Sequence, residues 1–257
     1  MSTRTAAARS TQGRHRAVVT VPVLAGAGYT AAWLASQLVG APNPSVSVPG
    51  AQVVASFAGR GGPAMAMFVL AEGVAAIALA VVVVVVARPA LHREARPAAR
   101  LAAQLGVGFG ITAAAVSWVE LALGTWLISV LVPERRSGTA GAAYHALMRL
   151  DGAKMFLLAV MAAAVSAMAV TAPLLPRWLA PMGFVLAALL VVSGLGYVLL
   201  APGLADAVYV SGILLLAFVT CTGVTFGLRA GRACSVPRRT RAAGGSSPTT
   251  AGRCTPT

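Results

Sequence analysis

Residues 63–87 read PAMAMFVLAEGVAAIALAVVVVVVA, an apolar run interrupted by one charged side chain, Glu72. A helix needs about 20 apolar residues to cross the hydrocarbon core of a bilayer. Strands of a membrane barrel need only about ten, and they alternate apolar with polar positions. This run is continuous and does not alternate. In lipid its backbone polar groups must be satisfied within the segment, and only a helix does that. The run therefore predicts a transmembrane helix.

Five further stretches of the same kind lie at 17–39, 101–132, 155–175, 181–201 and 207–228. The expected fold is all-α, a polytopic bundle of six transmembrane helices over residues 17–228. Basic tails at 1–16 and 229–257 are expected to be disordered. Composition agrees: 58% of residues are hydrophobic, 10% are charged and mean hydropathy is +0.82. Soluble domains carry about 25% charged residues. The first stretch follows several arginines, as a signal peptide does, but its length of about 23 exceeds the 7–15 apolar residues of a cleaved leader. It reads as a retained helix.

The net charge of +14 arises from 20 basic and six acidic residues. Lys154 is the sole lysine. With the N-terminus placed inside, fifteen basic residues fall on the cytoplasmic side: Arg4, Arg9, Arg14, Arg16, Arg88, Arg93, Arg96, Arg100, Arg177, Arg229, Arg232, Arg238, Arg239, Arg241 and Arg253. Five fall outside: Arg60, Arg135, Arg136, Arg149 and Lys154. That bias is the positive-inside pattern and predicts a plasma-membrane protein with both termini cytoplasmic. The same arginines flank apolar segments and form no basic stripe on a folded domain, which argues against nucleic acid. The expected partners are the lipid bilayer and, at the cytoplasmic tails, anionic headgroups.

Two carboxylates lie within apolar stretches, Glu72 and Glu120. An ionisable residue at a helix centre costs about 2.5–3.5 kcal/mol on the insertion scale, so each is a candidate functional residue. At 1.5 Å per residue they lie roughly 14 Å and 18 Å below the outer boundary, depths that overlap within the uncertainty of the segment ends. A short loop joins their segments, so the two can meet. Such a pair titrates as a unit, the chemistry of a proton relay or a cation site. Ser117, one turn before Glu120, and Arg149 or Lys154 from the outer side are candidate partners. The other reading is that each carboxyl is capped by such a neighbour and simply joins helices. Gly106, Gly110, Ala113, Ser117, Glu120 and Gly124 recur at alternating spacings of four and three, a small-residue face that permits close helix approach. Ala159, Ala162, Ser166, Ala169 and Pro173 form a similar row, and Gly223 with Gly227 a GxxxG.

The outer loops are short. Residues 51–58 suggest one or two interfacial helical turns. AGAAYHALMRLDGAK at 140–154 suggests an amphipathic outer helix feeding the fourth crossing, with Tyr144, Leu147, Met148 and Leu150 on one face and His145, Arg149 and Asp151 pointing elsewhere. His145 with Asp151 reads as a polar surface in preference to a metal site. His15, His92 and His145 lie outside the crossings, so no His pair can hold a bilayer-embedded haem. H-E-x-x-H and phosphate-binding loops are absent. Cys221, Cys234 and Cys254 form no C-x-x-C or zinc spacing. No intramembrane histidine can serve Ser193 or Ser211 as a base. Hence no catalytic residue, cofactor or metal is expected, and no enzyme.

The stretches PNPSVSVPGAQVVASFAG and HALMRLDGAKM resemble segments of uncharacterised multi-pass membrane proteins from high-GC actinobacteria, as does the preference for Arg over Lys. That resemblance implies a context and no activity. The residues support two functional readings. One is a non-enzymatic membrane protein with a structural, assembly or sensory role. The other is a small proton-coupled transporter using Glu72 and Glu120.

Overall fold

The computed structural model describes residues 3–40, 44–92, 95–172 and 175–235, with side chains from Thr20 to Arg232. All secondary structure among them is helical. The helices are α1 (Thr3–Val39), α2 (Gly50–Phe57), α3 (Gly61–Leu91), α4 (Pro97–Leu131), α5 (Ser137–Thr171), α6 (Leu179–Val198) and α7 (Ala207–Ser235). A single turn, Pro202–Ala205, leads into α7. Five of these, α3 to α7, are long and apolar enough to cross a membrane.

The long helices close into a ring in chain order: α1 packs on α3, α3 on α4, α4 on α5, α5 on α6, α6 on α7, and α7 returns to α1. Short connections force consecutive helices to be neighbours. Val82, Val83, Met161, Val165, Phe218 and Val219 fill the centre. Large apolar side chains also cover the outside, among them Leu24, Ile77, Val119, Val170 and Ile213, each at least half exposed. In water so wide an apolar surface would aggregate; facing lipid it is the stable arrangement.

Backbones approach where the sequence supplies glycine. Gly26 of α1 and Gly223 of α7 face each other's helices, and a Cβ on Gly223 would collide with the Pro22 carbonyl oxygen. Gly152 of α5 and Gly194 of α6 meet in the same way. The small-residue face of α4, from Gly106 to Gly124, is buried along its whole length. Ala159, Ala162, Ser166 and Ala169 are likewise buried on α5. Pro173 lies outside the described residues.

A second core caps one end of the bundle. Here α2 lies across α5, and Val46, Val53, Phe57, Leu127, Leu131 and Tyr144 pack together. The Tyr144 hydroxyl donates to the Pro44 carbonyl at 2.6 Å, and His145 Nε2 lies 3.1 Å from the Val48 carbonyl oxygen. Both tie the 44–48 strap to α5.

Three expectations need correction. The first helix begins at Thr3, so the basic stretch 3–16 is helical and not disordered. The last continues to Ser235, past the expected end at Leu228; residues 236–257 lie outside the described ones. Most consequentially, α5 is one unbroken helix from Ser137, about 18 positions before the expected start of the crossing. The helix expected at 140–154 is present and joins the fourth crossing without a break; Asp151 and Lys154, read as outer-face residues, belong to the middle of α5. The cause is physical: intrahelical hydrogen bonding continues through a mixed sequence when α2 and α6 cover its apolar face.

The α2–α5 contact gives a direct test. A Cβ on Gly50 would collide with the Ser137 carbonyl oxygen, whereas one on Gly62 would meet nothing within 4 Å. Gly50→Ala should lower the thermal midpoint in detergent, and Gly62→Ala should leave it unchanged or raise it. Equal midpoints would mean that the cap is not seated as described.

Candidate functional site: a buried lysine among three carboxylates

The chain has one lysine and six acidic residues, and the fold brings that lysine together with three of the six. Asp151 and Lys154 lie three residues apart on α5, the spacing that puts two side chains on one helix face. That face turns toward α3 and α4. Lys154 Nζ lies 2.8 Å from Glu72 Oε2, 2.5 Å from Glu120 Oε2 and 2.8 Å from Asp151 Oδ1. An ammonium has three N–H donors. Each therefore has a carboxylate oxygen.

The cluster is buried. The side chains of Lys154 and Glu120 are 10% and 1% exposed, and those of Glu72 and Asp151 are each 19% exposed. Left unpaired, four ionisable residues at helix centres would cost roughly 10–14 kcal/mol on the insertion scale. Pairing is thus a condition of the bundle's existence. Buried pairs of this kind gain specificity of packing more surely than net stability.

The donor and acceptor counts do not match. Three N–H groups serve six carboxyl oxygens, and Glu120 Oε1 is buried without a hydrogen-bond partner among the described residues. Formally the cluster carries one positive and up to three negative charges, and it is neutral when it also holds two protons. Ser117 is buried one turn before Glu120 on the same face of α4. Tyr29 of α1 is buried in the core of the same bundle. Three helices, α3, α4 and α5, thereby contribute charged groups to one polar centre.

Glu72 is placed by an irregular backbone. Residues Val69–Val74 form a π-turn inside α3. Each residue inserted into a helix rotates the remainder of that helix by about 100°, and such turns concentrate at functional sites. A second π-turn, Leu127–Leu131, ends α4 under the cap. Neither has a sequence signature.

Of the residues singled out from the sequence, Glu72, Glu120, Ser117, Asp151 and Lys154 converge. His145 and Arg149 do not: His145 serves the 44–48 strap, and Arg149 is exposed. Asp151, expected on a polar surface with His145, instead turns inward to Lys154. The i,i+3 pairing of Asp151 with the sole lysine was the available signal for the inward face of α5.

Oxygens of Glu72, Glu120 and Asp151 lie within 4.8 Å of one another, a set that could hold a hard cation. The Lys154 ammonium lies within hydrogen-bonding distance of one oxygen of each. It acts as a tethered counter-cation for the set. Comparison with protein families, characterised proteins and solved structures finds no match to this chain, so the site's chemistry rests on its own geometry.

Lys154→Met would leave three buried carboxyls without their cation. Removing one partner of a buried pair costs roughly 3–5 kcal/mol. Lys154→Met should therefore destabilise the detergent-solubilised protein far more than Glu72→Gln does. Adding Glu120→Gln to Lys154→Met should restore part of the loss. Independent, additive effects in thermal unfolding would contradict a shared centre.

Proposed function

We propose that the chain is a non-enzymatic, multi-pass protein of the plasma membrane, in which the Lys154 cluster is the proton-exchanging centre of a small proton-coupled transporter. The observation that carries this reading is the acidic surplus around one buried lysine, ending in the unpartnered Oε1 of Glu120. A purely structural clamp would need one carboxylate, and the two extra acids would only add to its cost. Ionisable groups retained inside membrane helices against that cost typify proton relays.

On this reading α1 is a sixth crossing, closing the ring against α3 and α7. Both termini lie in the cytoplasm. Arg96, Arg177 and Arg229 gather at the end of the bundle opposite the α2 cap, which fits the positive-inside pattern. Glu72 lies about 11 residues into α3 and Glu120 about 11 from the end of α4, hence roughly 16 Å from the capped end along each axis. That depth is near the middle of a bilayer about 30 Å thick, where coupling sites of transporters lie.

A structural or assembly role is the second reading. It draws support from the way Lys154 bridges α3, α4 and α5 at a single point.

Reconstitution separates the two. Proteoliposomes containing a pH-sensitive dye would be challenged with an imposed membrane potential and a panel of cationic, anionic and neutral small solutes. The transporter reading predicts an internal pH change that Glu120→Gln abolishes while the variant keeps its fold. It fails if the wild type moves no more protons than empty vesicles under every condition. It fails equally if Glu120→Gln moves as many as the wild type.

A further inference from the structure

Away from the lysine cluster, at the end opposite the α2 cap, lies a cavity of about 810 Å³. That volume is within the usual range of small-molecule sites, about 300–1,000 Å³. Its lining comes from distant parts of the chain: Arg96 at the start of α4, Arg177 in the α5–α6 connection, and Arg229 near the end of α7. The remaining described lining is almost wholly apolar, including Ala90, Val170 and Leu175, and contains no acidic residue. Three exposed arginines from separate elements thus line one largely apolar hollow. Arginine offers a planar fork of donors that matches phosphate oxygens two at a time. Basic pockets between membrane helices commonly receive lipid headgroups.

We propose that this cavity binds a phosphate-bearing anion, the three arginines holding the phosphate and the apolar walls holding whatever carries it. A phospholipid headgroup and free phosphate share this chemistry. The mixed lining suits the lipid, whose glycerol and acyl stem would lie against Val170 and Leu175. The site is independent of proton exchange at Lys154, so either assignment can fail without the other.

The test uses the full chain in detergent, with thermal midpoint and native mass spectrometry as readouts. Phosphatidylglycerol, phosphatidylcholine and inorganic phosphate are added separately to the wild type, Arg96→Gln, Arg177→Gln, Arg229→Gln, the triple variant and Arg100→Gln. Phosphatidylglycerol should raise the midpoint and remain bound, and phosphatidylcholine should do so less. Each cavity variant should weaken apparent affinity about tenfold, as expected when a charged hydrogen bond is lost. Arg100→Gln, an exposed basic residue outside the lining, should not. A shift by inorganic phosphate alone, lost in the same variants, would support the phosphate site with a soluble source. The proposal is overturned if no phosphate compound shifts the wild type. It is also overturned if Arg100→Gln weakens binding as much as the cavity variants, which would mean a diffuse surface effect. Should the triple variant not fold, the single variants decide.

Discussion

An ammonium group inside an apolar bundle must find anions, and the remainder of this structure is arranged to supply them. Lys154 reaches carboxylates on its own helix and on two others. The three acids depend on it for their cation, and it depends on them for its acceptors. This mutual dependence fixes the rotation of α3, α4 and α5 about their axes more strictly than apolar packing can. In lipid, apolar side chains pack almost as well against acyl tails as against each other. The polar centre thus sets register, and the small-residue seams allow the helices to come close enough for it to form.

The geometry around the centre supports that role. Gly152 directly follows Asp151 and lets α6 press against α5 at the same level. The π-turn at Val69–Val74 places Glu72 on a backbone whose hydrogen bonding is already altered. Beyond it, the α2 cap and the 44–48 strap cover one end of the bundle, held by Tyr144 and His145. The centre thus combines a spare acceptor, an irregular helix turn and a capped bundle end.

Much of the fold was legible in the sequence, for a simple reason: crossing a bilayer demands long apolar runs, and composition reports them directly. The helical class, the neighbouring of Glu72 and Glu120 and the buried face from Gly106 to Gly124 follow from length and spacing. Lys154 was readable as a partner for the carboxyls. Asp151 was legible only as an outer-face residue of the expected helix at 140–154, because that stretch mixes polar and apolar positions and its inward face is defined only where α2 and α6 cover it. The π-turns were illegible since i→i+5 bonding has no residue preference strong enough to read. Gly50 was also opaque: what a glycine permits depends on the surface it meets, here the backbone of Ser137 and Gly141.

The central claim is that Glu72, Glu120 and Asp151 share protons around Lys154 within the membrane. Infrared difference spectroscopy of the protein in lipid, between two pH values, observes this directly through the carbonyl stretch of protonated carboxyl groups. Proton sharing predicts a carboxyl band that changes with pH, disappears or shifts in Glu120→Gln, and is perturbed by Glu72→Gln and Asp151→Asn. A spectrum with no carboxyl change, or one indifferent to all three substitutions, would contradict it.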